Sequence, residues 1–127
     1  MIATLMLRWF NRLVNRLRHE KPPNAEIRLT DDGFSVAKNQ REIISVRWND
    51  IQEIVAFKRD FFTTDLVCFS FSTSDGSFEV NEEVPGFSSL ESALEKELPA
   101  FDNTWRHKVI KPAFAPNRTV IYQRIKI

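Results

Sequence analysis

Apolar and polar residues alternate along the middle of the chain, from residue 25 to residue 84, with turn residues at short intervals. A period of two is typical of antiparallel strands that bury one face. Turn residues break the alternation at 31–33, 39–40, 49–50 and 74–76. The inward positions that this pattern predicts are Ile27, Leu29, Phe34, Val36, Ile44, Val46, Trp48, Val67, Phe69, Phe71, Phe78, Val80 and Val84. We therefore predict about six short strands with short connections, forming a strongly bent antiparallel sheet or a split β-barrel.

A different period governs the start of the chain, where apolar residues recur at steps of three and four between residues 2 and 18. This spacing predicts an amphipathic N-terminal helix with one apolar stripe. The stripe consists of Ile2, Leu5, Met6, Trp9, Phe10, Leu13 and Leu17. Arg8, Arg12 and Arg16 lie four residues apart on the polar face. The helix is expected to end before Pro22 and Pro23, which cannot continue it.

A second helical stripe follows the predicted strands, which makes the predicted fold class α+β. Its apolar positions are Phe87, Leu90, Leu94 and Leu98. Ser88 and Glu91 have the spacing of a capping box, so Ser88 is the predicted N-cap, and Pro99 is expected to stop the helix. A lone helix of this length is marginal in water, so we expect it to cap an open end of the sheet. Residues 119–127 predict a last strand that pairs with a sheet edge.

Charge is spread unevenly over a chain whose length of 127 residues fits one domain. Residues 1–24 hold five Lys or Arg and one Glu, which gives +4, whereas the whole chain carries +1, so the remainder carries −3. We divide the chain into a basic helix with a proline linker, residues 1–24, and a single domain, residues 25–127. Basic arms of this kind often meet anionic surfaces.

The cysteine count and the apolar runs indicate a location in the cell. Cys68 is the only cysteine, which excludes an internal disulfide and favours a reducing compartment. No run reaches the roughly 18 apolar residues that span a bilayer, and the basic residues follow the first apolar run, unlike those of a signal peptide. We expect a cytoplasmic protein, with attachment to the inner membrane surface as the alternative.

Candidate chemistry is sparse. The two histidines, His19 and His107, have no second ligand at metal-binding spacing. Glu82 and Glu83 are adjacent, and neighbouring strand residues point to opposite faces, which speaks against a catalytic pair. We expect no catalytic residue, no cofactor and no metal. Nucleic acid is not an expected partner either, because the basic helix has a strongly apolar face and the remainder is acidic.

Two surfaces are candidates for binding a partner or a membrane. The first is the N-terminal helix, through Arg8, Trp9, Phe10, Arg12 and Arg16. It suits an anionic membrane surface, a protein partner or packing on its own domain. The second is a predicted loop over residues 59–64, which brings together Lys58, Arg59, Phe61 and Phe62. That loop forms either an exposed sticky tip or a folded-back plug in which Asp60 or Asp65 pairs with a neighbouring cation.

The order of these elements, with the motif Trp48-x-x-Ile51-x-x-Ile54 at the Trp-Asn-Asp-Ile corner, resembles a bacterial pleckstrin-homology-like (PH or GRAM-like) domain. The resemblance covers residues 25–98. It implies a seven-stranded barrel with one capping helix and a binding function toward phospholipid head groups or peptides. Residues 119–127 are expected to supply the strand that the pattern lacks. The chain also resembles small uncharacterised bacterial proteins with a similar Lys-Arg-Asp-x-Phe-Thr-Thr-Asp loop and Pro-Ala-Phe-Ala-Pro tail, from which no functional residue carries over.

Three functions follow from these patterns. The leading hypothesis is a non-catalytic binding or adaptor module that engages a protein partner or the cytoplasmic membrane surface. The second is an immunity-type inhibitor, in which the acidic domain plugs the basic active site of a cognate toxin. The third, a small enzyme, requires a polar concave pocket that holds Glu82, Arg106 or His107 together.

Overall fold

The computed structural model describes residues 25–61, 64–111 and 115–125 of the chain. The strands in these ranges are β1 (Ala25–Thr30), β2 (Gly33–Lys38), β3 (Arg41–Arg47), β4 (Ile51–Phe61), β5 (Thr64–Thr73), β6 (Gly76–Asn81) and β7 (Thr119–Gln123). The helices are a 3-10 turn (Trp48–Asp50), α1 (Phe87–Glu97) and α2 (Trp105–Ile110). The predicted N-terminal helix lies outside the described residues.

The strands form two antiparallel sheets, ordered β1-β2-β3 and β6-β5-β4-β7. The predicted α+β class and the antiparallel pairing are confirmed, and the described strands divide between two sheets that do not close into one barrel. Asn39 and Gln40 have φ values of 52° and 67°, as a tight turn between twisted antiparallel strands requires. The Trp48–Asp50 turn carries the chain from the first sheet into the second.

The predicted last strand is confirmed as β7, which pairs with the free side of β4. Tyr122 lies opposite Ile54 and Val120 lies opposite Val55, with a bulge between the two pairs. This makes β4 an inner strand of its sheet and β7 an edge strand. The strand comes after α2 in sequence, so the C-terminal part of the chain completes a sheet that the middle of the chain began.

The core lies between the inner faces of the two sheets and consists largely of phenylalanine rings. Phe71 stacks on Phe78 with ring centroids 5.2 Å apart, and Phe34 of the first sheet lies 5.2 Å from Phe71. These three rings are at most 2% exposed. Full burial of one such side chain contributes about 2–3 kcal/mol. The predicted inward faces of β2, β3, β5 and β6 are confirmed, apart from Trp48, which is partly buried.

Helix α1 begins two residues before its predicted start, and the capping-box prediction is wrong. Gly86 is the N-cap residue, with φ +94°, and it makes no side-chain cap. A side chain at Gly86 would place Cβ only 2.3 Å from the carbonyl oxygen of Ile27, so glycine alone fits this close approach. Glu91 bonds Arg106 at 3.0 Å instead of reaching back. The apolar stripe is confirmed: Phe87, Leu90, Leu94 and Leu98 are buried.

Helix α2 was not predicted, so the expectation of one capping helix is corrected to two. It has only six residues, and no side chain caps it at Thr104. Trp105 and Val109 are its buried positions, and the Trp105 ring lies 4.9 Å from Phe69 in the core. Tertiary packing therefore holds a segment that is too short to show a clear sequence period.

Candidate functional site

The loop predicted over residues 59–64 is largely strand. β4 continues to Phe61 and β5 begins at Thr64. The cross-strand register continues to the pairs Asp60–Asp65 and Phe61–Thr64. Lys58 and Arg59 therefore lie within a strand, and their side chains leave the sheet on opposite faces.

Lys58 points toward the core, on the same face of β4 as Ile54 and Ala56. Its side chain is 3% exposed, and its Nζ lies 3.1 Å from Asp65 Oδ2. The same Nζ donates to the carbonyl oxygen of Ile110 at 2.6 Å, at the C-terminal end of α2. An ammonium group satisfies the end of a helix in this position and fits its dipole. The predicted pairing of Asp65 with a neighbouring cation is confirmed for Lys58, whereas the plug of Phe61 and Phe62 stays a prediction.

Arg59 points to the outer face of the second sheet and reaches across β5 to β6. One guanidinium nitrogen, Nη2, donates to both carboxylate oxygens of Glu79, at 2.8 and 2.9 Å. The guanidinium also lies 4.9 Å from the Phe57 ring, and that of Arg118 lies 4.8 Å from the same ring. Phe57 is 4% exposed although it lies on the outer face. The side chain of Arg59 therefore covers part of the outer face of the second sheet, over Phe57.

The remaining predicted site residues are Phe61, Phe62 and the five residues of the predicted N-terminal helix. Phe61 is the last residue of β4. Phe62 and the helix residues Arg8, Trp9, Phe10, Arg12 and Arg16 lie outside the described residues, and their proposed role stays a prediction. The structure brings Lys58 to Asp65 and Arg59 to Glu79, and it does not place Lys58 and Arg59 on one surface.

An open groove lies between the edge strand β1 and helix α1, with a volume of about 460 Å³. Its lining residues are Leu29, Thr30, Asp31, Trp48, Ser88, Ser89, Ser92, Ala93, Lys96 and Glu97. Leu29 is 48% exposed, which is unusual for a residue of a strand that otherwise buries alternate positions. Trp48 is partly buried and packs 5.8 Å from Phe34, so its indole borders both core and groove.

The strand side of the groove is a sheet edge that is paired only in part. The N–H of Ile27 donates to the carbonyl oxygen of Pro85 at 2.8 Å, so the backbone of Ile27 points away from β2. Strand geometry repeats every two residues, so the backbone groups of Leu29 point the same way, into the groove. An exposed strand edge of this kind is a template for pairing with another chain.

The helix side of the groove presents the face of α1 that lies opposite its buried stripe. Two rows at four-residue spacing form this face: Ser88, Ser92 and Lys96, and Ser89, Ala93 and Glu97. Four of the six side chains are small, which leaves room beside the strand edge. Asp31, Lys96 and Glu97 provide the charges of the groove, with one more acid than base.

Sequence reasoning did not find this groove, because its two sides are about sixty residues apart along the chain. The one available signal was the run of serines and alanine on α1, where a surface helix usually carries long charged side chains. That signal alone indicates a solvated face as readily as a binding face. The exposure of Leu29 could not be read from the alternation, which predicts an inward side chain.

Two of the ionisable groups named for the enzyme hypothesis, Glu82 and Arg106, are engaged in separate contacts. Glu82 Oε2 accepts the N–H of Val67 at 2.6 Å. Arg106 pairs with Glu91 and lies 4.6 Å from the Trp105 ring. Among the described residues no group of three or more His, Cys, Asp and Glu has a metal-binding arrangement. The interaction with Lys108, together with bonds from Thr104, lowers the pKa of Asp102 to about 2, which stabilises a structural ion pair in the turn before α2.

Comparison with known proteins does not assign this site. No family model, no curated protein and no solved structure matches the chain. Within the ranges that the structure describes, no helix combines the length and hydropathy that a membrane crossing requires.

Proposed function

We propose that the protein is a non-catalytic binding module and that the groove between β1 and α1 binds a protein partner. The observation that carries this proposal is an exposed strand edge beside a helix face of small side chains, with Leu29 and Trp48 as apolar contacts. A groove beside a strand edge takes up a partner segment either as an added strand or as an amphipathic helix whose apolar side chains fill the groove. The resemblance to bacterial pleckstrin-homology-like domains is part of the same proposal, and six antiparallel strands followed by α1 support it, whereas α2 and β7 come after that helix.

Lys58 and Arg59 have no direct part in this function. Lys58 is buried against Asp65 and Ile110, and Arg59 is held by both oxygens of Glu79. A residue that serves as a binding contact has to exchange its present partner for a new one, and breaking a buried ion pair costs about 3–5 kcal/mol. The groove requires no such exchange, because Leu29 and the exposed serines of α1 already face solvent.

Site-specific photo-crosslinking in living cells tests the proposal. A photoreactive amino acid replaces Ser92 in the groove, and in a second strain it replaces Val120. Both positions are exposed, and Val120 lies on the outer face of the second sheet. We expect the position 92 variant to yield a covalent adduct with a discrete protein, identified by mass spectrometry, and the position 120 variant to lack that adduct. Identical adducts from both positions, or none from position 92, would contradict the proposal.

A second candidate function is attachment to an anionic membrane surface through residues 2–18. The charge distribution favours it, because the chain is +4 over residues 1–24 and −3 over the rest. Sedimentation with phosphatidylglycerol vesicles tests it in the full chain, with Arg8, Arg12 and Arg16 intact or all changed to Glu. Loss of vesicle binding in the triple variant supports attachment. Equal sedimentation of both proteins, or none by either, excludes it.

A further inference from the structure

We infer that the groove between β1 and α1 binds the chain's own segment 2–18 when no partner is present. The inference rests on the proposed function, because it uses the same groove, and it names a class of ligand for it: a basic amphipathic helix. The partner of the module would then compete with a segment that is always nearby. Three observations support this occupant, namely the reach of the chain, its charge and its apolar stripe.

The chain enters the described part of the fold at the start of β1, the strand that leads to the groove. Residue 25 is the first residue of β1, and the groove begins four residues further, at Leu29. Four strand residues cover about 13 Å. Residues 19–24 connect segment 2–18 to β1, and six extended residues span at most about 20 Å. The linker is therefore long enough to return segment 2–18 along β1 and place it over the groove.

The charges of the segment and of the domain are opposite. Residues 2–18 contain four arginines and no acidic residue. The groove holds the carboxylates of Asp31 and Glu97 against the single ammonium of Lys96. Residues 25–127 carry the net charge of −3 that balances the basic start of the chain. Electrostatic complementarity of this kind directs a segment to one surface more than it adds to affinity.

The apolar stripe of the segment matches what the groove offers. Trp9, Phe10 and Leu13 are consecutive members of the stripe, and the groove presents Leu29 and Trp48. An isolated helix of about 17 residues is marginal in water, so burial of this stripe is what would stabilise it. The small side chains of Ser89 and Ala93 allow a second helix to approach α1 closely.

A tethered occupant changes how the module responds to a partner. A short linker gives an effective local concentration on the order of 1 mM, so a contact with a dissociation constant well below this value fills the groove. A free partner then binds with its intrinsic affinity multiplied by the fraction of molecules in which segment 2–18 has left the groove. A variant that weakens the docking of segment 2–18 should raise the yield of the position 92 photo-adduct several-fold, and Leu13→Asp is such a variant.

Paramagnetic relaxation enhancement in the full chain tests the inference directly. A nitroxide is attached to Ser92→Cys in one sample and to Val120→Cys in the other, with native Cys68 left in place because it is 2% exposed. Isotope-enriched, labelled protein is diluted into unlabelled protein, so that only contacts within one molecule broaden the signals. We expect the amides of residues 2–18 to relax several-fold faster with the label at position 92 than at position 120. Ala93→Arg, which fills the groove, should abolish the difference, whereas Asn103→Arg adds the same charge outside the groove and should preserve it.

Two results would overturn the inference. One is equal relaxation of residues 2–18 from both label positions. The other is enhancement that occurs only when the label and the isotope are on separate molecules, which would make a second copy of the chain the occupant. Either result leaves the proposed function standing if the position 92 photo-adduct still forms and is lost in Ala93→Arg. Loss of both the relaxation difference and the adduct removes the groove as a binding site altogether.

Discussion

Strands β4 and β1 differ in how far the rest of the chain covers their edges. The edge of β4 is covered by β7, and Arg124 fastens the end of that strand to the corner between the sheets. Its Nε donates to the carbonyl oxygen of Ile51 and its Nη2 to that of Trp48, each at 3.0 Å. The edge of β1 makes one backbone hydrogen bond to the described chain outside its sheet, donated by the N–H of Ile27 to the carbonyl oxygen of Pro85, and then opens into the groove.

This difference supports the proposed location of the partner-binding surface. Proteins generally pair, cover or charge their strand edges, because an uncovered edge recruits other chains. The β4 side follows that rule with a strand supplied by the chain itself. The β1 side departs from it beside exposed Leu29, where a hydrophobic side chain lacks the cover of the core. A local departure from such a rule is expected at functional sites.

The largest loss of stability should come from breaking the buried ion pair between Lys58 of β4 and Asp65 of β5. Asp65→Ala leaves the Lys58 ammonium, whose side chain is 3% exposed, without its carboxylate partner. Loss of one member of such a pair costs about 3–5 kcal/mol of the free energy of unfolding, measured by urea titration. The double variant Lys58→Met, Asp65→Leu should recover much of this loss. A decrease of less than about 1 kcal/mol in Asp65→Ala would show that the pair behaves like an exposed one.

The pairing of Lys58 also shows how far the sequence could predict this region. Its position two residues after Ala56 and four after Ile54 already implies an inward side chain, if β4 is taken to continue past it. The prediction ended the strand at Lys58 because a charged, aromatic run is typical of a loop. Only the register with β5 reveals that Asp65 lies close enough to neutralise the ammonium.

Gly86→Ala should weaken the junction at which β1 meets α1. Gly86 has φ +94°, and an added Cβ would lie 2.3 Å from the carbonyl oxygen of Ile27. Backbone strain together with this clash should cost about 2 kcal/mol, seen as a lower urea midpoint. Ser88→Ala, two residues further and exposed, serves as the control and should change stability by less than about 0.5 kcal/mol. Equal stability of both variants would mean that the close approach at Gly86 is not maintained in solution.

Arg124→Ala should weaken the attachment of β7 to the edge of β4 without unfolding the domain. The substitution removes two guanidinium hydrogen bonds, worth about 1–2 kcal/mol together for a half-buried group. The backbone bond from Arg124 N–H to Gln52, at 2.8 Å, remains. We expect faster hydrogen exchange in β7 than in β5, whereas Gln123→Ala should leave both strands unchanged. Uniform acceleration over the whole domain would contradict a local clamp.

Lys108→Ala should have the smallest effect on stability and a clear effect on titration. The bond from Lys108, followed by those from Thr104, lowers the pKa of Asp102 from 3.8 to about 2. A lowered pKa stabilises the fold above pH 3.8, and this contribution is lost as the pH falls toward 2. Because the pair is partly exposed, its contribution should stay below about 1 kcal/mol. In Lys108→Ala, NMR titration of the Asp102 carboxyl should show a higher pKa, and Lys96→Ala should not.

The sequence could predict the strands far better than the proposed binding surface. Alternation and turn residues are local properties, and they placed six strands and the buried stripe of α1 near their observed positions. Helix α2 was not predicted because its six residues are held in place by the contact of Trp105 with Phe69, a residue far away in the sequence. The groove was not predicted for the same reason, since Leu29 and Ser92 come to line one groove only when α1 packs beside β1.

The most direct test of the groove between β1 and α1 as a binding surface is the yield of the photo-adduct from position 92 in two full-length variants. Ala93→Arg fills the groove, and Asn103→Arg adds the same charge at an exposed turn outside it. Both should keep the free energy of unfolding within about 0.5 kcal/mol of the parent, because neither position is buried. We expect the adduct to disappear in Ala93→Arg and to persist in Asn103→Arg. Equal yields from the two variants would contradict the groove as the binding surface of this protein.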